Sequence, residues 1–351
     1  MSTSLPAPDL YVGIDIAYRT AQASWLRPGA APRPAWGFPQ SPDGFAALRQ
    51  QLAATGVPPA ATLVVLEATG TYWCRLALDL HTAGYRVAVI NPAQAHYFAQ
   101  AQLRRAKTDA LDAQLLAQFA ASLRPAPWTP PPAIYHELEQ RLQLRQQLLD
   151  ARQVARNQRH AVQAGAPVIA DVAQRLAGVV QFYDEQLASL DAELRAHLPA
   201  PDDPATAAWA ANYALLDSIK GIGPWTALWL LVATVNFTSC QTVEQAVGYA
   251  GLGPMPRASG TSVRGRAHLP RGGHARLRTA LYMATLSAAR YNPAVRGIYT
   301  RLSAAGKPEK VARCAAARKL LHQAWAVVHS GQAYDPDYDQ RSRPAAGAAA
   351  A

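Results

Sequence analysis

Two carboxylates at helical spacing lie in the segment AKTDALDAQLLAQF, residues 106–119. Asp109 and Asp112 are three residues apart, so a helix would place their Cβ atoms about 5–6 Å apart on one face. Carboxylate oxygens are the ligands that a hard cation such as Mg²⁺ prefers. On this helix alone a solvated acidic face is the favoured explanation of the pair, so a metal site requires further acids elsewhere in the chain.

Two such acids lie in apolar stretches that precede this segment. Asp15 belongs to LYVGIDIAYRTAQASW, residues 10–25, which predicts a strand, a break and a second strand. Glu67 ends the short apolar run ATLVVLE, which predicts a buried strand. A carboxylate in a buried strand is costly unless it is paired or binds a metal. Asp15 and Glu67 could therefore converge with Asp109 and Asp112 on one face.

The elements around these acids alternate between strand and helix patterns. Helices are predicted over residues 45–55 and 72–83, and a buried strand over residues 85–90. The helix that carries Asp109 and Asp112 follows. Interleaved strands and helices predict a mixed α/β domain over residues 8–125.

A proline-rich linker at residues 124–132 precedes two long helices. In the second helix apolar residues recur at intervals of three and four, which predicts an antiparallel coiled-coil hairpin over residues 133–199. The predicted seam consists of Val172, Leu176, Val179, Tyr183, Leu187, Leu190 and Leu194. Five arginines, here called the arginine stripe, share a narrow arc of the first helix: Arg141, Arg145, Arg152, Arg156 and Arg159. The stripe could be a solvated face or could follow a phosphate backbone.

A glycine turn begins the third predicted domain, residues 209–331. Gly221 and Gly223 follow Lys220 and precede a proline at a helix start. Glycines between two helices let backbone N–H groups approach a phosphate, as in a helix-hairpin-helix DNA-binding turn. Plain loops show the same glycine pattern, so both interpretations stay open.

A long basic segment follows, with no Asp or Glu and ten Lys or Arg between residues 245 and 308. A segment with only basic charges is expected to contact a polyanion. Ser259 and Ser262 lie inside it and could anchor phosphate or act as nucleophiles. The arginines predicted to bind nucleic acid are Arg257, Arg264, Arg266, Arg271, Arg276 and Arg278. Helices are predicted over residues 279–290, 294–304 and 308–328, and a disordered tail over residues 333–351.

Composition narrows the class of partner. The 351-residue chain has a net charge of +11 and a pI of about 9.8, which favours a nucleic acid over an anionic lipid surface because no lipidation signal is present. Cys74, Cys240 and Cys314 match no zinc spacing and fit buried thiols in a reducing cytosol. No secretory signal or membrane span is apparent, so the expected location is cytoplasmic.

Short motifs distributed along the chain resemble one known family. They are GID (13–15), EATGTYW (67–73), NP (91–92), KTDALDA (107–113), GIG (221–223), YAGLGP (249–254), SG (259–260) and LR (277–278). In this order they resemble the DEDD transposases of the Piv/MooV invertase-like insertion sequences, which are bridge-RNA-guided recombinases. The resemblance covers about residues 10–330. One departure is Arg19, which stands where the family commonly has lysine.

The resemblance implies a RuvC-like, ribonuclease-H-type N-terminal domain, a coiled-coil middle and a mostly α-helical C-terminal transposase domain. It implies that Asp15, Glu67, Asp109 and Asp112 bind Mg²⁺ and that Ser259 forms a covalent phosphoserine link to DNA. The implied partners are donor and target DNA, an element-encoded noncoding bridge RNA and further copies of the chain in a dimer or tetramer. The implied setting is the nucleoid of a prokaryotic cell.

Two other functions remain compatible with the residues. A RuvC-like junction endonuclease would hydrolyse DNA with metal-activated water and would need the four acids but no serine. A non-catalytic, transposase-derived protein that binds nucleic acid would need neither the acids nor the serine.

Overall fold

The computed structural model describes residues 6–68, 70–103, 108–165, 167–196, 206–259, 263–270 and 272–338. The chain divides into two compact units, residues 1–130 and 131–351. The first contains a mixed sheet and the second is mostly helical, which confirms the coarse prediction of an α/β region followed by a helical remainder.

The first unit is built on a five-stranded sheet in the order β3-β2-β1-β4-β5. The strands are β1 (Leu10–Ile16), β2 (Thr20–Leu26), β3 (Trp36–Pro39), β4 (Thr62–Glu67) and β5 (Arg86–Ile90). Strands β1, β4 and β5 are parallel, whereas β2 and β3 are antiparallel to their neighbours. The carboxyl ends of β1 and β4 therefore lie at the same edge of the sheet.

Helices cover both faces of this sheet. They are α1 (Pro42–Ala53), α2 (Trp73–Thr82), α3 (Pro92–Ala101) and α4 (Asp109–Leu123). Alternate residues of β1 point to opposite faces. Val12 packs in one core with residues of α1 and α2, whereas Tyr11 packs in a second core with residues of α4. Each face of the sheet thus has its own apolar cluster.

One strand and one α-helix among the described residues of the first unit were not predicted from the sequence. Strand β3 follows a stretch rich in proline and glycine, which obscured its short apolar pattern. Helix α3 begins at Pro92 behind a capping box formed by Asn91 and Gln94. The predicted strands and the remaining helices of this unit are confirmed, with ends shifted by a few residues.

The second unit opens with the predicted helical hairpin. Helix α5 (Ala133–Ala164) packs against α6 (Ala170–Ala196) in antiparallel fashion, since Arg145 pairs with Asp191 and Arg152 pairs with Asp184. The later helices are α7 (Ala207–Asp217), α8 (Pro224–Ala233), α9 (Val243–Tyr249), α10 (Ala275–Tyr291), α11 (Pro293–Ala304) and α12 (Glu309–Ser330).

The hairpin shares its core with these later helices. Leu138 and Leu142 of α5, with Leu190 and Leu194 of α6, belong to the apolar cluster that also contains α8, α10 and α12. The sequence predicted separate domains over residues 133–199 and 209–331, but their apolar surfaces are continuous. The hairpin base is therefore part of the second unit's core.

The predicted heptad seam holds only at this base. Leu187, Leu190 and Leu194 are buried, whereas Val172 and Val179 are 39% and 43% exposed. Val180 is buried in place of Val179. A straight helix drifts relative to a strict seven-residue repeat, which explains this change of face. Val172 and Val179 are therefore wrong as buried seam residues, whereas Leu176 and Tyr183 are partly buried.

Disorder was predicted from residue 333 onward, but the chain is still held by side-chain contacts at residue 334. The backbone N–H of Tyr334 donates to Ser218 Oγ at 2.8 Å, and its phenol donates to Asn292 Oδ1 at 3.0 Å. Tyr334 is therefore held against α7 and α10. Residues 339–351 lie outside the described residues.

A small two-stranded sheet interrupts the helices of the second unit. Strand β6 (Met255–Ser259) pairs antiparallel with β7 (Val263–His268) inside the basic segment, and neither strand was predicted. Cys74, Cys240 and Cys314 are free thiols. Within the described ranges, no helix is both long and apolar enough to span a bilayer.

Candidate functional site

Strand alternation directs two of the predicted acids to the α4 face of the sheet. Tyr11 of β1 lies in the core beneath α4, and Asp15 is four residues further along the same strand, on the same face. Likewise Val65 of β4 lies in that core, and Glu67 is two residues beyond it. Because Ile14 pairs with Leu66 in the parallel register, Asp15 and Glu67 end neighbouring strands side by side.

The other two acids occupy the first turn of α4. Thr108 caps this helix, since its side chain accepts the N–H of Leu111 at 3.3 Å. Asp109 and Asp112 follow at the first and fourth helical positions. The positive end of the helix dipole favours carboxylates there and offsets part of their mutual repulsion.

A glycine in β1 brings this helix close to the strand. A Cβ at Gly13 would overlap the backbone of Ala113, Leu116 and Ala117 in α4. The backbones of β1 and α4 thus meet at Gly13, two residues before Asp15. This contact brings the start of α4, with Asp109 and Asp112, to the edge where β1 ends.

The electrostatics of Asp15 shows that the four acids act on one another. The pKa of Asp15 is raised from 3.8 to about 6, first by burial and then by the charges of Asp112, Asp109 and Glu67, in that order of size. The backbone N–H of Ile16 opposes this shift. Four carboxylates therefore share an edge at which their combined negative charge is unfavourable.

The donor set fits a divalent cation. All four groups offer hard oxygen ligands, and a cation among them would relieve the repulsion that raises the pKa of Asp15. Among the described residues, no three acidic, histidine or cysteine side chains are already close enough to form a metal-binding group. The side chains would therefore have to move inward to share one ion.

The second unit carries the predicted serine on a β-hairpin. Ser259 is the last residue of β6, and its Cα pairs with that of Val263. Arg257 pairs with Gly265, Arg264 pairs with Ala258, and Arg266 belongs to β7. The side chains of these four predicted residues, and all of Ser262 and Arg271, lie outside the described part of the structure. The backbone alone places Ser259 at the end of β6, opposite the first residue of β7.

A tight set of contacts closes the base of this serine hairpin. Gly251, with φ of +68°, and Gly273, with φ of +96°, lie against each other with no room for a side chain between them. His274 N–H donates to the Tyr249 carbonyl at 2.7 Å. Arg278 Nη1 donates to the Gly272 carbonyl at 3.0 Å. These contacts, here called the hairpin clamp, join the two chain segments that flank β6 and β7.

His274 also starts α10. Its Nδ1 accepts the N–H of Leu277 at 3.1 Å, and its ring lies against Trp229 and Tyr249. Burial lowers the pKa of His274 below its ordinary value of 6.5. A neutral imidazole is therefore favoured, which suits its role as a hydrogen-bond acceptor in the clamp.

The turn between α7 and α8 contains one glycine that packs against α10 and one that is exposed to solvent. Gly221 has a φ of +104°, and a Cβ there would overlap Ala288 of α10. The backbone carbonyl of Lys220 accepts a hydrogen bond from Asn292 Nδ2 at 3.2 Å. The side chain of Lys220 is exposed. Gly223 is exposed directly before α8. Gly221 is thus required for helix packing, whereas contact of the exposed Gly223 with a phosphate stays a prediction.

Four of the five arginines of the stripe, Arg141, Arg145, Arg152 and Arg156, face acids of α6. Arg145 forms a 2.6 Å ion pair with Asp191, and its guanidinium lies 4.1 Å from the ring centre of Trp225. Both Arg152 and Arg156 pair with Asp184, at 2.6 and 3.2 Å. The Arg152 hydrogen bond is the main reason that the pKa of Asp184 lies below its ordinary value. Arg141 approaches Glu137 and Glu193 at 3.9 and 4.0 Å. These arginines therefore help to hold the hairpin together.

Comparisons with known proteins identify the family to which these features belong. A model of DEDD transposases of the IS110 type, described as a transposase, matches residues 12–166. A model described as the transposase IS116/IS110/IS902 family matches residues 213–300. The chain belongs to the IS110/IS116 family of transposases. The prediction of an insertion-sequence transposase of the DEDD type is confirmed.

Relatives of this transposase align over most of its length. It is 29% identical to the pilin gene-inverting protein of Moraxella bovis over 332 residues, which are 93% of the chain and 97% of the relative. It is 28% identical to the protein of the same name from Moraxella lacunata over 334 residues. An uncharacterized 43.6 kDa protein of insertion element IS110 from Streptomyces coelicolor is 32% identical over 191 residues, 54% of the chain and 44% of that relative.

Several residues that support the sites of this transposase were not singled out from the sequence. They are Gly13, Thr108, Gly251, Gly273 and His274, and they act through backbone contact or capping. Thr108 could have been recognised as an N-cap from its place before Asp109. The close backbone approaches at the glycines depend on residues far apart in sequence, so local spacing could not reveal them.

Proposed function

We propose that this transposase is a Mg²⁺-assisted DNA recombinase that cuts and rejoins strands through a phosphoserine intermediate. The observation that carries the proposal is the convergence of Asp15, Glu67, Asp109 and Asp112, expressed in the raised pKa of Asp15. The mixed sheet and the helix docked on it support a RuvC-like interpretation of this unit. The Moraxella relatives are named for gene inversion, which itself requires strand exchange.

In this proposal the four carboxylates hold Mg²⁺. Bound Mg²⁺ would act as a Lewis acid and stabilise charge on the phosphate that is attacked. The four carboxylates would hold the ion at the end of β1 and β4, and the partly buried Asp15 would limit the access of water there. Their repulsion in the ion-free state would favour occupation of the site, since a divalent ion would offset two of the four negative charges.

The serine supplies the bond-forming atom. Its hydroxyl loses a proton and forms an O–P bond, while one P–O bond of the DNA backbone breaks and the departing oxygen gains a proton. Attack by the hydroxyl of a second strand reverses the step, releases the serine and rejoins DNA without ATP. Ser259 is the proposed nucleophile, because it ends β6 within the basic segment and matches the Ser-Gly motif of the family.

The covalent intermediate can be tested with a suicide DNA substrate and denaturing electrophoresis. Ser259→Ala should abolish the protein–DNA adduct, whereas Ser262→Ala should leave it. An adduct that survives Ser259→Ala but not Ser262→Ala would move the nucleophile to Ser262. If DNA is cut with no adduct in any variant, including wild type, the protein is the metal-dependent junction endonuclease instead.

We further infer that one active site combines acids and serine from different protomers. Mixing the Asp15→Asn and Ser259→Ala proteins tests this directly. Each alone should be inactive, and the mixture should regain strand exchange if homo-oligomers form composite sites. A mixture that stays inactive, under conditions where mixed oligomers are demonstrated, would show that each protomer works alone.

The proposed guide is a noncoding RNA encoded by the element. The net charge of +11 favours binding of the negatively charged backbones of both RNA and DNA. Sequencing RNA that co-purifies with the protein should recover one enriched species, and adding it with Mg²⁺ should direct cleavage to matching donor and target DNA. Cleavage at the same sites without RNA would exclude guidance. DNA binding that persists with no cleavage under any condition would favour a purely binding protein.

A further inference from the structure

Two exposed tyrosines lie directly after the two strands that carry catalytic acids. Tyr18 lies in the turn after β1, three residues beyond Asp15, and Tyr72 lies five residues beyond Glu67. Their rings are 5.6 Å apart at an angle of 62°. Both loops begin at the carboxyl ends of parallel neighbours, so the tyrosine pair stands at the same sheet edge as the carboxylates.

This pair is unusually open to solvent for two aromatic rings in contact. Tyr18 is 69% exposed and Tyr72 is 46% exposed. Neither ring is needed to fill the cores of the sheet, which are formed by other side chains. Adjacent exposed aromatic rings commonly mark an interaction surface.

The loops that carry the rings are fixed to each other. Gln40 Nε2 donates to the carbonyls of Ala17 and Tyr72 at 3.3 and 3.4 Å, and its backbone N–H donates to the carbonyl of Arg19 at 2.9 Å. The Gln40 residue thus links the turn after β1 to the start of α2. A surface held in this way loses little conformational freedom when a ligand binds.

Charge adds a preference for a nucleic acid. The guanidinium of Arg19 lies 5.8 Å from the ring centre of Tyr18 and is exposed. A cation beside open aromatic rings suits a strand whose bases stack while its phosphates are neutralised. Bases inside a duplex are already stacked on each other, so the rings fit unpaired bases.

We propose that Tyr18 and Tyr72, with Arg19, form a stacking platform that holds unpaired bases of the DNA strand next to the carboxylate site. This inference rests on the proposed function, because strand exchange requires local separation of the duplex. The platform holds a base close to the scissile phosphate and so sets which phosphate reaches the carboxylates. Arg19 supplies a positive charge beside the Tyr18 ring.

Binding without cleavage tests the platform separately from the chemistry. Single-stranded DNA carrying 2-aminopurine is titrated with protein in EDTA, and both affinity and base fluorescence are measured. Wild type should quench the probe through stacking. Tyr18→Ala with Tyr72→Ala should reduce quenching and weaken binding about ten- to a hundredfold. Because EDTA removes divalent metal, the measurement does not depend on catalysis and stays interpretable if the catalytic proposal fails.

Matched variants separate stacking from loss of structure. Tyr18→Phe with Tyr72→Phe keeps both rings and should retain affinity and quenching. Tyr291→Ala removes a tyrosine that is 67% exposed in the other unit and should change neither. Circular dichroism and thermal unfolding should be the same for all variants.

Three results would overturn the proposal. One is unchanged binding and quenching in the double alanine variant. Another is an equal loss of affinity for fully paired duplex DNA, which would indicate a backbone contact. The third is a loss confined to single-stranded RNA of the same sequence, which would assign the platform to RNA.

Discussion

The backbone of Ala117 in α4 lies against the Cα of Gly13 in β1, so a methyl group at position 13 would overlap the Ala117 amide nitrogen. Gly13 is two residues before Asp15, and Ala117 is five residues after Asp112. One strand–helix contact therefore fixes the distance between acids that come from separate parts of the chain. The GID motif begins with glycine for this reason.

Replacing Gly13 by alanine should push α4 away from β1. We expect a loss of about 1–3 kcal/mol in the free energy of unfolding, as for other overpacked cores. Mg²⁺ should raise the unfolding temperature of this variant less than that of wild type. Urea denaturation and thermal unfolding with and without Mg²⁺ measure both effects.

A second glycine supplies the control for this variant. Gly297 lies within α11, and a Cβ there would meet nothing within 4 Å. Gly297→Ala should stabilise the protein by about 0.5–1 kcal/mol through helix propensity. Equal stability of Gly13→Ala and wild type would contradict the close approach of β1 and α4.

The raised pKa of Asp15 predicts how the metal-free protein responds to pH. Because the folded-state pKa, about 6, lies above the ordinary 3.8, folding is favoured by protonated Asp15 at low pH. That contribution is lost as the pH rises through about 6. In EDTA at pH 8, Asp15→Asn should therefore be more stable than wild type by roughly 1–3 kcal/mol, allowing for partial solvent screening.

Chemical denaturation at pH 4 and pH 8 measures this difference. At pH 4 the advantage of the Asp15→Asn variant should largely disappear. Mg²⁺ at pH 8 should reverse the order, since only wild type keeps the full set of carboxylates. Asp9→Asn, an exposed substitution just before β1, serves as the control and should show neither effect. A constant stability difference across this pH range would refute the shared electrostatics of the four acids.

The carboxylate edge was largely predictable because its signals are local. Apolar runs identified β1 and β4, and strand alternation then assigns Asp15 and Glu67 to a face. The spacing of Asp109 and Asp112 identified a helix face. The close approach of α4 to β1 depends on Gly13, which lies against Ala117, about a hundred residues later in the sequence. No periodic pattern in the sequence predicts such a contact.

The hairpin of α5 and α6 shows where sequence reasoning reached its limit. Heptad spacing correctly predicted Leu187 as a seam residue but placed Val179 there as well. The spacing describes one helix and does not specify how far its partner stays in contact. The charge pattern of α5 was equally ambiguous, because acids such as Asp184 lie on a different helix.

Arg278 is expected to act through the hairpin clamp, although the sequence predicted that it binds nucleic acid. Its guanidinium donates to the Gly272 carbonyl and occupies the space left by the missing side chain of Gly251. Arg278→Ala should cost about 1 kcal/mol of stability. It should also increase proteolysis between residues 255 and 268 and reduce the yield of covalent adduct.

Salt dependence of DNA binding separates these two roles for Arg278. A phosphate ligand removed from the interface lowers the slope of log K against log salt by about one, whereas loss of a positioning residue leaves the slope unchanged. We expect the unchanged slope for Arg278→Ala and partial recovery of adduct with Arg278→Lys. Arg276→Ala is the neighbouring comparison, since Arg276 has only a 3.6 Å exposed pairing with Asp150. A reduced salt slope of DNA binding for Arg278→Ala would show that Arg278 contacts a DNA phosphate.

The ion pair of Arg145 with Asp191 predicts the behaviour of the arginine stripe. Both side chains are largely buried, at 17% and 21% exposure, and Arg145 also covers Trp225. Asp191→Asn should therefore destabilise the second unit by about 1–2 kcal/mol, as for a charge-assisted hydrogen bond. Asp171→Asn breaks an exposed pair with Arg175 on the same helix and should cost about 0.5 kcal/mol or less.

DNA affinity then decides whether Arg145 has a second role. If Arg145 only holds the hairpin, its release by Asp191→Asn leaves DNA affinity and its salt slope unchanged, because Trp225 still holds the guanidinium. If Arg145 also binds phosphate, loss of the competing carboxylate strengthens DNA binding and steepens the slope. The short distance to Asp191 and the contact with Trp225 favour the first outcome, and fluorescence anisotropy at several salt concentrations measures it.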